Sequence, residues 1–327
     1  MAGWRTLSGG GQVRMWADEE FRFLDRFAPG RPLDVRSADG TRIHAEAFGP
    51  EDGYPVVLAH GFCCSIRFWA HQITALSATH RVIAFDHRGH GRSGRPAADG
   101  LTVPRLGEDL SAVLAAALRP GERALLAGHS MGGVAVQSWA HHHPDEVGLA
   151  DAIVLINSAP GGIGATIAAA MAGREPRSTP SRTSRIAPRL FRTISGIPIP
   201  VRLPRAGRMM SPIVLGHTAA PAARALTREL VMTTPRATRR GLIRALLTLE
   251  DGLLDPARLS APTLVIGSAE DRLLGLAASR RLERSLPNSL GLVVLPDGHS
   301  GPLEHPRAVT AELRALADRH TCAAQGA

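Results

Sequence analysis

Short apolar runs alternate with helical patterns through most of this 327-residue sequence. The runs at 56–59 and 153–156 contain no polar residue, which is typical of strands buried on both faces of a parallel sheet. Strands that alternate with helices in this way build layered α/β domains. We therefore predict a doubly wound, mostly parallel sheet of eight strands with helices on both of its faces.

The predicted elements cover the chain from residue 33 onwards. The first two strands are expected to form an antiparallel hairpin through Ala38-Asp39-Gly40. We predict strands at 33–37, 41–48, 55–59, 81–86, 123–127, 152–157, 262–266 and 291–295, and helices at 65–76, 104–118, 131–142, 276–286 and 306–320.

About a hundred residues without a clear strand interrupt the alternation between residues 157 and 262. Helical patterns occur there at 165–172, 221–232 and 235–250, and a structureless loop of this length is uncommon in a compact domain. We therefore expect a helical cap at 161–250, inserted into a core built from 31–160 and 251–327. The N-terminal segment (1–30) is predicted to form a short amphipathic helix that docks on the domain, on a partner subunit or on a membrane.

The composition argues against membrane-spanning, disulfide-rich and nucleic-acid-binding proteins. No apolar run is long enough to span a membrane, and three cysteines (63, 64 and 322) do not make a disulfide framework, so a cytoplasmic protein is expected. The net charge is +9, and all 38 basic residues are arginine. Aromatic residues make up only 4% of the chain and no nucleic-acid-binding motif is present, which argues against a nucleic-acid partner.

The arginine-rich segment (174–208) contains nine arginines, one acidic residue and several large apolar residues. Two interpretations remain open. One is peripheral contact with an anionic membrane or a lipid–water interface. The other is a solvated face whose arginines reflect a compositional bias.

The sharpest motif is Gly128-His129-Ser130-Met131-Gly132, which lies between a predicted strand and a predicted helix. This is the context of a G-x-S-x-G nucleophile elbow, in which glycines are needed because neighbouring backbone comes very close to the serine turn. The motif predicts Ser130 as a nucleophile.

A serine hydroxyl needs a general base, and the order expected after this elbow is serine, acid, histidine. Asp271 follows one later strand and His299 follows the next. We predict that His299 takes the proton of Ser130 and that Asp271 orients the imidazole, with Glu270 as the competing acid. The run His141-His142-His143 is not expected to bind metal, because adjacent side chains at a helix end diverge, and His305 is expected to be structural.

The turn at His60-Gly61-Phe62 directly follows a buried strand. The backbone N–H groups of Phe62 and Met131 are predicted to form an oxyanion hole. Their side chains are predicted to line the substrate pocket, and Cys63 and Cys64 to act as small apolar filling.

These motifs resemble those of the α/β-hydrolase superfamily, in its serine-nucleophile branch. The resemblance rests on His60-Gly61-Phe62, the block from Asp86 to Ser93, the Ser130 elbow, the Asp271 turn and the block from Gly298 to Leu303. It implies an α/β-hydrolase fold similar to capped esterases, monoacylglycerol-lipase-like enzymes and cofactor-free haloperoxidases, with the site roles given above and a structural role for the block at 86–93. Gly275 departs from the proline that many relatives carry after the acid loop.

The sequence therefore predicts a hydrolase of carboxylic esters with apolar acyl groups, acting on a small-molecule or lipid ester. No cofactor motif or metal-binding set is recognised. Serine rather than aspartate at position 130 argues against epoxide hydrolases and haloalkane dehalogenases of this fold. Acyl transfer, perhydrolysis, C–C bond hydrolysis and a non-catalytic ligand-binding relative remain as alternatives.

Overall fold

A computed structural model describes residues 23–24, 29–97, 99–166, 213–250 and 252–325 of the chain. The arginine-rich segment, most of the N-terminal segment and most of the predicted helix at 165–172 lie outside these residues. Of the N-terminal segment, Phe23 and Leu24 are helical, and Leu24 is buried in the core.

Eight strands form one mostly parallel sheet in the order β1-β2-β4-β3-β5-β6-β7-β8. The pairs β1–β2 and β2–β4 are antiparallel, and every other neighbouring pair is parallel. All eight predicted strands are present, and the first two form the predicted hairpin. The strands are β1 (Arg31–Arg36), β2 (Arg42–Phe48), β3 (Pro55–Ala59), β4 (Arg81–Asp86), β5 (Ala124–His129), β6 (Ala150–Ile156), β7 (Thr263–Ser268) and β8 (Ser289–Leu295).

Most helices fall where the sequence predicts them, with shifted ends, and the short helix Gly301–Glu304 was not predicted. The predicted helix at 65–76 differs most, because it begins as a separate 3₁₀ helix, Ile66–Trp69, capped by the side chain of Ser65. The α-helices are α1 (Ala70–Leu76), α2 (Val103–Ala117), α3 (Met131–His142), α4 (Pro221–Thr233), α5 (Arg236–Leu247), α6 (Leu276–Arg284), α7 (Gly301–Glu304) and α8 (Pro306–Gln325).

The central strands of the sheet are buried on both faces, as their apolar runs require, whereas the edge strands β1 and β8 are partly exposed. Along β3, Val56 and Leu58 pack into one cluster with Trp69, whereas Val57 packs with Trp139 on the opposite face. Because successive side chains of a strand point to opposite faces, one unbroken apolar run serves both layers.

Helices α4 and α5 lie in the region predicted to be a cap. Leu242 and Ile243 of α5 share an apolar cluster with Met131 and Val134 of α3, so α5 packs over the helix that follows β5. None of the helices in the described parts of the chain combines the length and the hydrophobicity needed to cross a membrane.

A buried arginine links the segments that flank the sheet. Arg88, in the loop after β4, is fully buried and binds the equally buried Asp109 of α2 with two hydrogen bonds of 2.7 and 2.6 Å. It also donates to Asp39 in the β1–β2 turn, to the Ser37 hydroxyl and to the Gly100 carbonyl. These contacts agree with the structural role expected for the block at 86–93.

We predict that Arg88→Met destabilises the fold by about 3–5 kcal/mol, because it leaves the Asp109 carboxylate buried without its partner. Urea unfolding measures the change. Arg105→Met is the matched control, since Arg105 pairs with Glu108 at the surface and should cost at most about 1 kcal/mol. Equal losses in the two variants would contradict a special role for the buried pair.

Candidate active site

Ser130 lies in a strained turn between β5 and α3. Its backbone has φ 53° and ψ −115°, a conformation that side-chain-bearing residues rarely adopt and that persists only when the surroundings enforce it. A Cβ atom on Gly132 would lie 2.1 Å from the Ala59 carbonyl oxygen, and one on Gly128 would lie 2.6 Å from the Gly132 backbone. The glycines of the motif therefore allow β3, β5 and α3 to approach one another closely enough to hold this turn.

The structure brings Ser130, His299 and Asp271 together at the carboxyl ends of the parallel strands. The Ser130 Oγ atom lies 2.9 Å from His299 Nε2, and His299 Nδ1 lies 2.8 Å from Asp271 Oδ2. His299 and Asp271 are 3% and 7% exposed. A serine, an imidazole and a carboxylate in this arrangement can pass a proton from the hydroxyl to the imidazole while the acid orients the ring.

Asp271 is held as a carboxylate. Burial opposes its ionisation, but His299 and the backbone N–H groups of Leu274 and Leu273 stabilise the charge and lower the pKa of Asp271 to about 2. Both N–H groups donate to Oδ1 at 2.9 Å, which leaves Oδ2 for His299. Glu270 does not compete, since it points away and contacts His217.

The backbone N–H groups of Phe62 and Met131 have no hydrogen-bond acceptor among the described residues. Met131 is the first residue of α3, so its N–H lies at the positive end of that helix. The turn that carries Phe62 is fixed by a hydrogen bond of 3.1 Å from the Cys63 N–H to His90 Nε2. Burial lowers the pKa of His90 to about 4, so the imidazole stays neutral and can accept this bond.

A mostly apolar cavity of about 90 Å³ opens onto Ser130 and His299. The side chains of Phe62 and Met131, which were predicted to line a substrate pocket, line this cavity. The remaining apolar lining includes residues of the 213–250 segment, namely Val214, Leu230, Val231, Ile243 and Leu246. Apolar walls with a few polar groups at one end are typical of sites that bind small apolar ligands.

Comparison with known proteins agrees with this geometry. Residues 56–313 match the model of a family described as the alpha/beta hydrolase family. The chain belongs to this family. It is 31% identical over 276 residues, 84% of this chain and 94% of the relative, to a protein of Caulobacter sp. (strain K31) named "Putative carbamate hydrolase RutD".

Other similarities to this alpha/beta hydrolase are shorter or more distant. A non-heme chloroperoxidase of Streptomyces lividans is 39% identical over 128 residues, which cover 38% of this chain and 44% of the relative. The crystal structure of the esterase RhEst1 from Rhodococcus sp. ECU1013 superposes with a TM-score of 0.71 at 24% identity, covering 88% of this chain and 98% of the esterase. At this identity the likeness concerns the fold alone.

Three further residues of this alpha/beta hydrolase support the site and were not predicted from the sequence. Asn157, with a positive φ of 45°, donates to Asp271 Oδ2 at 3.2 Å. His129 Nε2 lies 2.9 Å from the carbonyl oxygen of His299; burial lowers the pKa of His129 to about 3, so the ring is neutral and donates this bond. The motif around His129 did not indicate this supporting role, because the carbonyl that His129 contacts lies 170 residues further along the chain.

Glu304 is the third residue that supports the site. Its carboxylate accepts hydrogen bonds from the N–H groups of Gly298 and Ser300, at 3.2 and 2.9 Å, and so brackets His299 from both sides. It also accepts from the Gly216 N–H at 2.6 Å. Glu304 therefore joins the loop that carries His299 to the segment that leads into α4.

The other residues singled out in the sequence lie outside this hydrogen-bonded group. His142 and His143 are engaged separately, with the Ser138 carbonyl and with Glu146. Cys63 is buried, and burial raises the pKa of its thiol to about 12, which fits a filling role. Gly275 has φ 73°, a conformation closed to proline, so the departure from relatives reflects a different turn.

We predict that Asp271 stabilises the fold at neutral pH and loses this effect in acid. Its pKa of about 2 in the folded chain lies below the value of about 3.9 for unfolded chains. The carboxylate therefore contributes fully above about pH 4, by about 2 kcal/mol, and progressively less as the pH falls towards 2. Asp271→Asn should be less stable than wild type at pH 7, and the difference should shrink at pH 3, as measured by urea unfolding.

A gap between wild type and Asp271→Asn that stays constant from pH 7 to pH 3 would contradict the lowered pKa. Glu312→Gln on α8 is the control, because it removes a carboxyl group that lies outside the site.

Proposed function

We propose that this alpha/beta hydrolase cleaves carboxylic esters with apolar acyl groups, using Ser130 as nucleophile, His299 as general base and Asp271 as the orienting acid. The observation that carries the proposal is the hydrogen-bonded series Ser130–His299–Asp271 at the end of an apolar cavity, beside two N–H groups that have no acceptor within the described parts of the chain. No cofactor takes part in the proposed reaction.

Acylation begins when the ester carbonyl carbon lies next to the Ser130 hydroxyl. His299 Nε2 removes the proton as Oγ bonds to carbon, and the carboxylate of Asp271 stabilises the imidazolium that forms. Since the pKa of Asp271 is about 2, this group stays ionised and the proton remains on the imidazole.

Negative charge develops on the former carbonyl oxygen in this step. We expect the N–H groups of Phe62 and Met131 to donate to it, since neither has an acceptor among the residues that the structure describes. Each donor of this kind contributes about 3–4 kcal/mol to lowering the barrier in comparable enzymes. His299 then protonates the leaving alcohol, which departs and leaves an acyl group on Ser130.

Deacylation repeats the sequence with water as nucleophile. His299 activates the water, and the acid is released when the bond to Ser130 Oγ breaks. The apolar cavity accounts for the proposed acyl preference, because burying an acyl chain against its aliphatic walls is favourable by about 0.8 kcal/mol per methylene. Replacement of water by an alcohol, peroxide or other acceptor would give the transfer reactions that remain as alternatives.

We expect a fluorophosphonate probe to label the wild-type protein and not Ser130→Ala, because the probe reacts only with an activated serine hydroxyl. Turnover of p-nitrophenyl esters should fall by at least about 10⁴-fold in Ser130→Ala. Ser285→Ala is the matched control, since Ser285 is exposed at the end of α6 and its hydroxyl donates to the Leu282 carbonyl, away from the site. Mass spectrometry and absorbance assays provide the two readouts.

Labelling tests the assignment of the nucleophile, and ester turnover tests the proposed reaction. Labelling that persists in Ser130→Ala would refute Ser130 as nucleophile. Labelling of the wild type without turnover of any ester, from acetate to decanoate, would keep the nucleophile and refute ester hydrolysis.

We expect Glu304→Gln to lower kcat about tenfold with KM changed less than about twofold. Glutamine has one acceptor oxygen in place of two and presents an NH₂ group towards N–H donors, so the loop around His299 should shift, and small displacements of catalytic groups are costly. The rate of fluorophosphonate labelling should fall in parallel. Glu312→Gln is the control, and a loss of stability without a change in kcat would show that Glu304 supports the fold only.

A further inference from the structure

A second group of polar side chains lies outside the Ser130 site. His217, Glu270 and Asp297 each offer a ligand atom, and these atoms lie within 4.8 Å of one another. His217 Nδ1 is 2.9 Å from Glu270 Oε2. The three residues come from the segment before α4, the β7–α6 loop and the β8–α7 loop, so the fold brings them together from distant parts of the sequence.

The two carboxylates of this group are not neutralised by arginine in the described parts of the chain. Arginine is the only strong cation in this protein, with 38 residues, and it pairs with other carboxylates such as Glu46, Glu122 and Glu229. The charged partners of Glu270 and Asp297 among the described residues are histidines, His217 and His305. The carboxylates are thus paired with groups that also bind metal as neutral ligands.

The backbone fixes the positions of these side chains. The Glu270 N–H donates to the Asp297 carbonyl at 3.0 Å, which holds the two loops side by side. The segment that carries His217 is held by the Gly216 N–H bond to Glu304 and by the Ser300 hydroxyl, which donates to the Val214 carbonyl at 2.9 Å. Little backbone movement is needed for the three ligands to converge.

We propose that His217, Glu270 and Asp297 form a zinc-binding site. One imidazole nitrogen and two carboxylate oxygens suit Zn²⁺, which binds both ligand types at about 2.0–2.2 Å and takes water as a fourth ligand. Ca²⁺ fits less well, because it needs six to eight oxygen ligands. Ligand atoms about 3.3 Å apart would surround a zinc ion, and exposed His217 and Glu270 can reach this spacing by rotating their side chains.

A zinc ion at this site would stabilise the fold and would take no part in the proposed reaction. Glu270 directly precedes Asp271, and Asp297 lies two residues before His299. A zinc ion here would tie the loops of the acid and the base to the segment that leads into α4. This inference is independent of the proposed ester hydrolysis, because its test measures metal binding and unfolding.

Isothermal titration of the untagged, chelator-treated full chain with ZnCl₂ tests the proposal. We expect one Zn²⁺ per chain, and a melting temperature that rises by about 3 °C when free zinc is about 100 times the Kd. His217→Ala should weaken binding at least tenfold and reduce the thermal shift at the same free zinc concentration by about half or more. Titration with CaCl₂ should show no comparable binding.

His143→Ala is the matched control, because His143 also pairs with a carboxylate, Glu146, but belongs to no group of three ligands among the described residues. It should bind zinc as the wild type does. Zinc binding that survives His217→Ala, or that is lost in His143→Ala, would overturn the proposal, as would failure of the wild type to bind. Titration of His299→Ala, in which zinc binding should persist, excludes zinc bound at His299 and does not depend on the proposed reaction.

Discussion

The geometry of the site depends on the close contact between the turn at Ser130 and strand β3. Gly132 leaves no room for a side chain against the Ala59 carbonyl, and this contact holds Ser130 at φ 53°. Such a conformation costs about 1–3 kcal/mol unless its surroundings enforce it. The buried sheet enforces this conformation. As a result, the Ser130 hydroxyl projects from the edge of the sheet with the Met131 N–H directly beside it.

The partners of Ser130, His299 and Asp271, lie on loops that would be mobile without further hydrogen bonds. The loop of His299 is held by His129 and Glu304, and that of Asp271 by Asn157 and two backbone N–H groups. The low pKa of Asp271 shows that the network favours the charged form of the acid despite its burial.

Local patterns were sufficient to predict all eight strands, the positions of most helices and the residues that meet at Ser130. Apolar runs and glycine spacing are short-range signals, and the order of the strands brings Asp271 and His299 to the edge where Ser130 lies. Sequence reasoning could not find the contact between Glu304 and Gly216 or that between His217 and Glu270, because these partners lie 88 and 53 positions apart. It also favoured Asp271 over Glu270 without a decisive reason, since only the backbone of the turn determines which carboxylate faces His299.

The proposed reacting groups and most of the cavity wall come from different parts of the chain. The groups proposed to make and break bonds belong to the sheet and its loops, whereas Leu230 and Ile243 of α4 and α5 complete the cavity wall. Changes in these helices can alter the shape of the cavity without moving Ser130, His299 or Asp271. The hydrogen bonds that hold those three residues are made mainly by the sheet and its loops. Membership of the alpha/beta hydrolase family therefore does not by itself determine which reaction the chain catalyses.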